Sequence, residues 1–80
     1  MNLKPIATEK AIMKVELENI LTFLVEQKTT KEEIKKEIED LFKVKVEKIR
    51  TQIRNNKKIA YVKLNKKDLA IDLATKLGLM

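Results

Sequence analysis

The tetrapeptide Thr30-Lys31-Glu32-Glu33 has the S/T-x-x-E form of a capping box and lies between two stretches whose apolar residues alternate with period two. In such a box the Thr30 hydroxyl and the Glu33 carboxylate satisfy each other's free backbone amides, so a helix starts here. Ile34, Ile38, Leu41 and Phe42 follow at i, i+4, i+7 and i+8 and form one apolar stripe, leaving Lys35, Lys36, Glu37 and Glu39 to water. A helix between two strands joins them by a crossover, which is right-handed in nearly all known cases. The crossover leaves a gap between those strands, and a third strand returning from a hairpin fills it antiparallel, giving a split β-α-β arrangement.

The remaining segments fit this frame. Pro5 holds Met1 to Ala7 extended, and Thr8 caps a short helix with Ala11, Ile12 and Val15 on one side, ending near Glu16. From Glu18 to Glu26 the period is two and both faces are apolar, with Leu21, Phe23 and Val25 against Ile20, Thr22 and Leu24, as an interior strand requires. A long strand from Val44 to Arg54 changes phase near Glu47-Lys48 through a bulge or bend. Asn55-Asn56-Lys57 supplies a tight turn, because Asn tolerates positive φ, and Ile59 to Leu64 returns with Ala60, Val62 and Leu64 on one face. A last helix opens at Asn65 or Lys66, buries Leu69, Leu73, Ala74 and Leu77, and stops at Gly78. The expected fold is α+β, with an antiparallel-containing mixed sheet of split β-α-β topology and helices packed on it, in one domain over residues 1–80.

Eighty residues support one modest core, since a chain of this size hides only roughly 60% of its unfolded surface. The absence of Cys removes disulfides and thiolate metal sites, and the absence of His removes the usual general base near neutral pH and the commonest metal ligand. With one Gly there is no backbone cradle for a nucleotide phosphate. No enzyme, metal or cofactor is expected. Glu16 and Glu18 read as solvated charges rather than a catalytic pair, and Arg54 beside Asn55 or Asn56 on a turn is a poor anion-hydrolysis site. The apolar run Ile20–Val25 is too short to span a bilayer and no leader is visible, so a soluble, unprocessed chain without membrane insertion is expected, and the absence of Cys fits a cytoplasmic location.

Charge is distributed unevenly. Residues 1–40 hold seven Lys and nine acidic residues, a balance of −2, whereas residues 41–80 hold eleven Lys and Arg against Glu47, Asp68 and Asp72, a balance of +8. The hairpin carries Arg50, Arg54, Lys57, Lys58 and Lys63 with Tyr61 among them, and Lys45 and Lys48 extend the stripe. Arg suits bidentate phosphate contact, Lys supplies point charge, and an aromatic ring offers a stacking surface for an unpaired base. The expected RNA-binding set is Lys4, Lys10, Arg50, Arg54, Lys57, Lys58, Tyr61 and Lys63. The competing interpretation is a solvated hairpin with Tyr61 at the core rim, in a small ferredoxin-like protein-interaction or ligand-sensing module.

Four segments bear a family resemblance. Lys4-Pro5-Ile6-Ala7-Thr8-Glu9-Lys10-Ala11 resembles the N-terminal P-x-x-T/S-E-K-A signature of the universal large-subunit ribosomal protein twenty-three family. Thr30-Lys31-x-Glu33-Ile34-Lys35, Leu41-Phe42-x-Val44-x-Val46 and Lys57-Lys58-x-Ala60-Tyr61-Val62-x-Leu64 resemble its second-helix start, helix-to-strand junction and closing strand, in the same order. The resemblance implies a structural protein that binds large-subunit ribosomal RNA beside the nascent-chain tunnel exit, next to other ribosomal proteins. It further implies docking of signal recognition particle, nascent-chain chaperones and the translocon on a patch that includes Ala7, Thr8 and Glu9. Arg54 to Lys58 leaves room only for a tight turn, so the likeness is to the short archaeal-type form rather than to bacterial members with a long basic hairpin. Lys43 stands where bacterial relatives often carry an acid, which speaks against a bacterial-type trigger factor contact.

Overall fold

A computed structural model describes residues 3–78. The elements are β1 (Lys4–Pro5), α1 (Glu9–Glu18), β2 (Ile20–Val25), α2 (Lys31–Phe42), β3 (Val46–Arg54), β4 (Lys57–Leu64) and α3 (Ala70–Lys76). They form a four-stranded sheet of order β1-β2-β4-β3 in which every hydrogen-bonded neighbour is antiparallel. Because β2 and β3 are each antiparallel to the intervening β4, they run parallel to one another on either side of the α2 crossover. This is the split β-α-β expected, but with β4 filling the gap and β1 pairing antiparallel at the edge, the sheet of the described residues is antiparallel throughout rather than mixed. Met1 and Asn2, included in the expected N-terminal extension, lie outside the described residues.

Local signals set most boundaries. Thr8 Oγ1 accepts from Ala11 N at 3.2 Å, as a helix N-cap should. The helix α1 runs two residues beyond the expected Glu16, because the stop comes from Asn19, which adopts the left-handed conformation at φ 59. In the α2 box Thr30 Oγ1 accepts from Glu33 N at 3.2 Å, but the Glu33 carboxylate accepts from the Thr30 hydroxyl at 3.1 Å rather than from its amide. Ile34 and Ile38 are wholly buried, whereas Leu41 is 60% exposed. Phe42 makes the last contact with the core, which leaves Leu41 outside the stripe that its spacing suggested. Glu39, expected in water, accepts from Val46 N at 3.0 Å and ties the end of α2 to the start of β3.

The phase change in β3 is present as a register shift between Val46 and Lys48. Asn55 and Asn56 take φ 53 and 63, the pair of positive values that a two-residue type I′ hairpin demands. Lys57 therefore belongs to β4 rather than to the turn. The last helix begins at Ala70, later than the expected Asn65 or Lys66. Residues 65–68 instead form a turn fastened to the chain before β3, with Asn65 N on the Lys45 carbonyl and the Asp68 carboxylate accepting from Lys45 N, both at 2.9 Å. That shift puts Ala70 inside and leaves Leu69 53% exposed, correcting its place in the buried stripe. Gly78, at φ 76, follows α3 as expected.

One core joins Leu21, Phe23, Val25, Ala60, Val62 and Leu64 of the central strands to Ile34 and Ile38 of α2, to Ala70, Leu73 and Ala74 of α3, and to Val15 of α1. The opposite side chains of β2, β4 and β3 make up the outer face of the sheet.

Candidate nucleic-acid interface

Strand register decides which cations stand together, since residues directly opposed on neighbouring strands share a face. Across β3 and β4 the outer-face pairs are Lys48 with Lys63, Arg50 with Tyr61, Gln52 with Ile59 and Arg54 with Lys57. Lys4 of β1 opposes Leu24, which in turn opposes Ile59, so Lys4 lies on the same face beyond β2. Two of these pairs set like charges against each other with no acid among the paired residues, an arrangement that destabilises a free sheet. The ion pairs found among the described residues are Lys14 with Glu18 and Lys28 with Glu26, and neither engages the stripe.

The α1 helix borders this face on its β2 side. Lys14 Nζ lies 5.5 Å from the Tyr61 ring centroid and 3.4 Å from the Glu18 carboxylate. The half-buried Tyr61 is held by a hydrogen bond from its hydroxyl to Gln52 Oε1 at 3.3 Å. Lys14, Glu18, Ile20, Arg50, Gln52 and Tyr61 line a groove between helix and sheet. No cluster of metal-binding side chains occurs among the described residues.

The family model for Ribosomal protein L23 matches residues 1–73. The chain belongs to the ribosomal protein L23 family. The large ribosomal subunit protein uL23 of Methanothermobacter thermautotrophicus is 44% identical over 77 residues, covering 95% of this chain and 90% of that protein. The uL23 of Pyrobaculum aerophilum is 48% identical over 77 residues, covering 94% of each. Both relatives are archaeal, in keeping with the short hairpin. Membership in the L23 family makes the role structural and non-enzymatic, in the ribosome, and displaces the free-standing ligand-sensing module as the alternative.

Of the cations expected to bind RNA, Lys4, Arg50, Arg54, Lys57 and Lys63 are exposed and share the outer face with Tyr61. Lys58 does not join them. It opposes Val25 and Ile53 on the core side, and its ammonium donates to the Thr29 carbonyl, because adjacent strand residues point to opposite faces. Lys10 is exposed on α1, one helical turn before Lys14. Sequence reasoning omitted Lys14 and Gln52, and read Glu18 only as a solvated charge. Gln52 shares the strand phase of Arg50 and Arg54 and was legible on that ground, whereas the approach of Lys14 to Tyr61 depends on how α1 packs. Ala7, Thr8 and Glu9 are exposed at the start of α1. Elsewhere, Leu17 of α1 at 75%, Leu69 just before α3 and Ile71 of α3 are exposed around a second groove, which no periodicity foretold.

Among the described residues no helix is long and apolar enough to cross a membrane.

Proposed function

We propose that the outer face of the sheet binds large-subunit ribosomal RNA through its phosphates, and that the N-terminus of α1 remains free for protein partners near the tunnel exit. The observation that carries the reading is the opposition of Lys48 to Lys63 and of Arg54 to Lys57 on an exposed face, with no ion pair to any of the four among the described residues. Phosphates placed between such pairs relieve the repulsion that the free protein bears, and the gain appears as binding. The relatives named above are proteins of the large ribosomal subunit, which supplies RNA of that kind.

Binding of the protein to isolated large-subunit RNA across a salt series tests this. If about five phosphates are contacted, log K falls with log salt at a slope of roughly −0.7 to −0.9 per contact. Charge reversal at Arg50 and Arg54 weakens binding and flattens the slope. A salt-insensitive affinity, or unaltered incorporation of the double variant into subunits, defeats the electrostatic reading.

Ala7, Thr8 and Glu9 form the partner patch, exposed where the chain enters α1. Signal recognition particle, nascent-chain chaperones and the translocon are the partners this patch serves. Glu9→Lys ribosomes should retain the protein but recruit less signal recognition particle in co-sedimentation; unchanged recruitment counts against the patch.

A further inference from the structure

Lys14 is shared between two weak holds, the face of the Tyr61 ring and the Glu18 carboxylate, in a groove that opens onto the cationic strand β3. Neither hold is strong: an exposed cation–π contact and an exposed i,i+4 ion pair each contribute little in water. The ring stands on a strand paired on both sides, and its hydroxyl lies 3.3 Å from Gln52 Oε1. An aromatic ring whose face is approached by a weakly held cation is a stacking site whose present occupant is easily displaced.

We propose that this groove takes one unpaired nucleotide of the bound RNA, the base stacking on Tyr61 and its phosphate held by Arg50 and the displaced Lys14. The inference rests on the RNA-binding reading of the outer face and specifies one site within it. Arg50 stands directly across from Tyr61, so a base on the ring brings its own phosphate to a guanidinium that makes no ion pair among the described residues. The polar groups that remain give the groove a preference. Glu18, freed from Lys14, only accepts hydrogen bonds, and guanine presents two adjacent donors on its Watson–Crick edge, whereas uracil presents one. Gln52 offers an amide donor beside them. Guanine fits this groove best. Elsewhere on the face the cations meet phosphate alone.

The test titrates the full chain with guanosine 5′-monophosphate, uridine 5′-monophosphate and ribose 5-phosphate, following the Tyr61 ring and Gln52 side-chain amide signals by nuclear magnetic resonance. Guanosine monophosphate is expected to shift both signals and to bind about tenfold more tightly than ribose 5-phosphate, an increment typical of one stacked base. Tyr61→Leu should abolish that increment and leave the phosphate response, while Tyr61→Phe keeps it. Equal responses to all three compounds overturn the nucleotide site. The salt-dependent binding to large-subunit RNA is measured on the same preparation. If that binding persists while the base increment is absent, the groove fails and the cationic face stands; if RNA binding itself is missing, the broader reading fails first.

Discussion

The side chain of Asn19, at the end of α1, caps the start of α3: its Oδ1 accepts from Ala70 N at 2.6 Å across 51 residues of sequence. Its amide lies within hydrogen-bonding distance of the Leu64, Asn65 and Asp68 carbonyls, at 3.3, 3.3 and 2.9 Å. The local N-cap residue, Leu69, has no side chain able to do this. One asparagine thus ends the first helix, closes the turn after β4 and starts the last helix. Asn19→Ala should lower unfolding free energy by about 2 kcal/mol in urea titration, combining a lost cap with stranded carbonyls. Asn19→Asp should also destabilise, because it keeps the acceptor but turns a second oxygen toward three carbonyls. Wild-type stability in both variants would refute the bridging role.

Lys57 and Lys58 separate RNA affinity from stability. Lys57 opposes Arg54 on the exposed outer face, whereas Lys58 reaches the Thr29 carbonyl on the core side. Lys57→Gln should weaken RNA binding and reduce the magnitude of the salt slope by roughly one contact. Lys58→Met should leave the slope unchanged and alter the unfolding midpoint instead. Equivalent salt slopes for the two variants would show that strand phase does not govern RNA contact.

Lys48 and Lys63 predict a trade between folding and function. Replacing Lys48 with Glu converts a like-charged cross-strand pair into an attractive one, worth up to about 1 kcal/mol of free-protein stability at low salt. The same change should weaken RNA binding and flatten its salt slope. A variant that gains neither stability nor a binding defect would mean that the pair is already screened by solvent.

Thr22 is 6% exposed, and its hydroxyl has no hydrogen-bond partner among the described residues. It opposes Tyr61 on the outer face of β2. Thr22→Val keeps the shape and the β-branch while removing an unsatisfied group, so it should raise stability by about 1 kcal/mol. A loss of stability in thermal unfolding would reveal a partner for the hydroxyl in solution.

The sequence by itself determined what is decided within a turn or two of chain. Thr8 and Thr30 announced helix starts, Asn55-Asn56 the hairpin, and the broken alternation at Glu47-Lys48 the bulge, because a cap acts on an amide three residues on, an Asn on its own φ and a phase break on its own strand. The alternation of Lys48, Arg50, Gln52 and Arg54 is likewise local and places them on one side of a strand, although Gln52 was not drawn from it. Tertiary structure decided the rest. Lys57 and Lys58 fall on opposite faces by alternation alone, but that Lys57 stands across from Arg54, beside the cations of β3, follows from the pairing of β4 with β3. The exposure of Leu41 and Leu69 depends on where the core ends and where α3 starts, the latter bound up with Asn19 and the turn held by Lys45. Those contacts join residues distant in sequence, and periodicity carries no information about which distant partner a segment will meet.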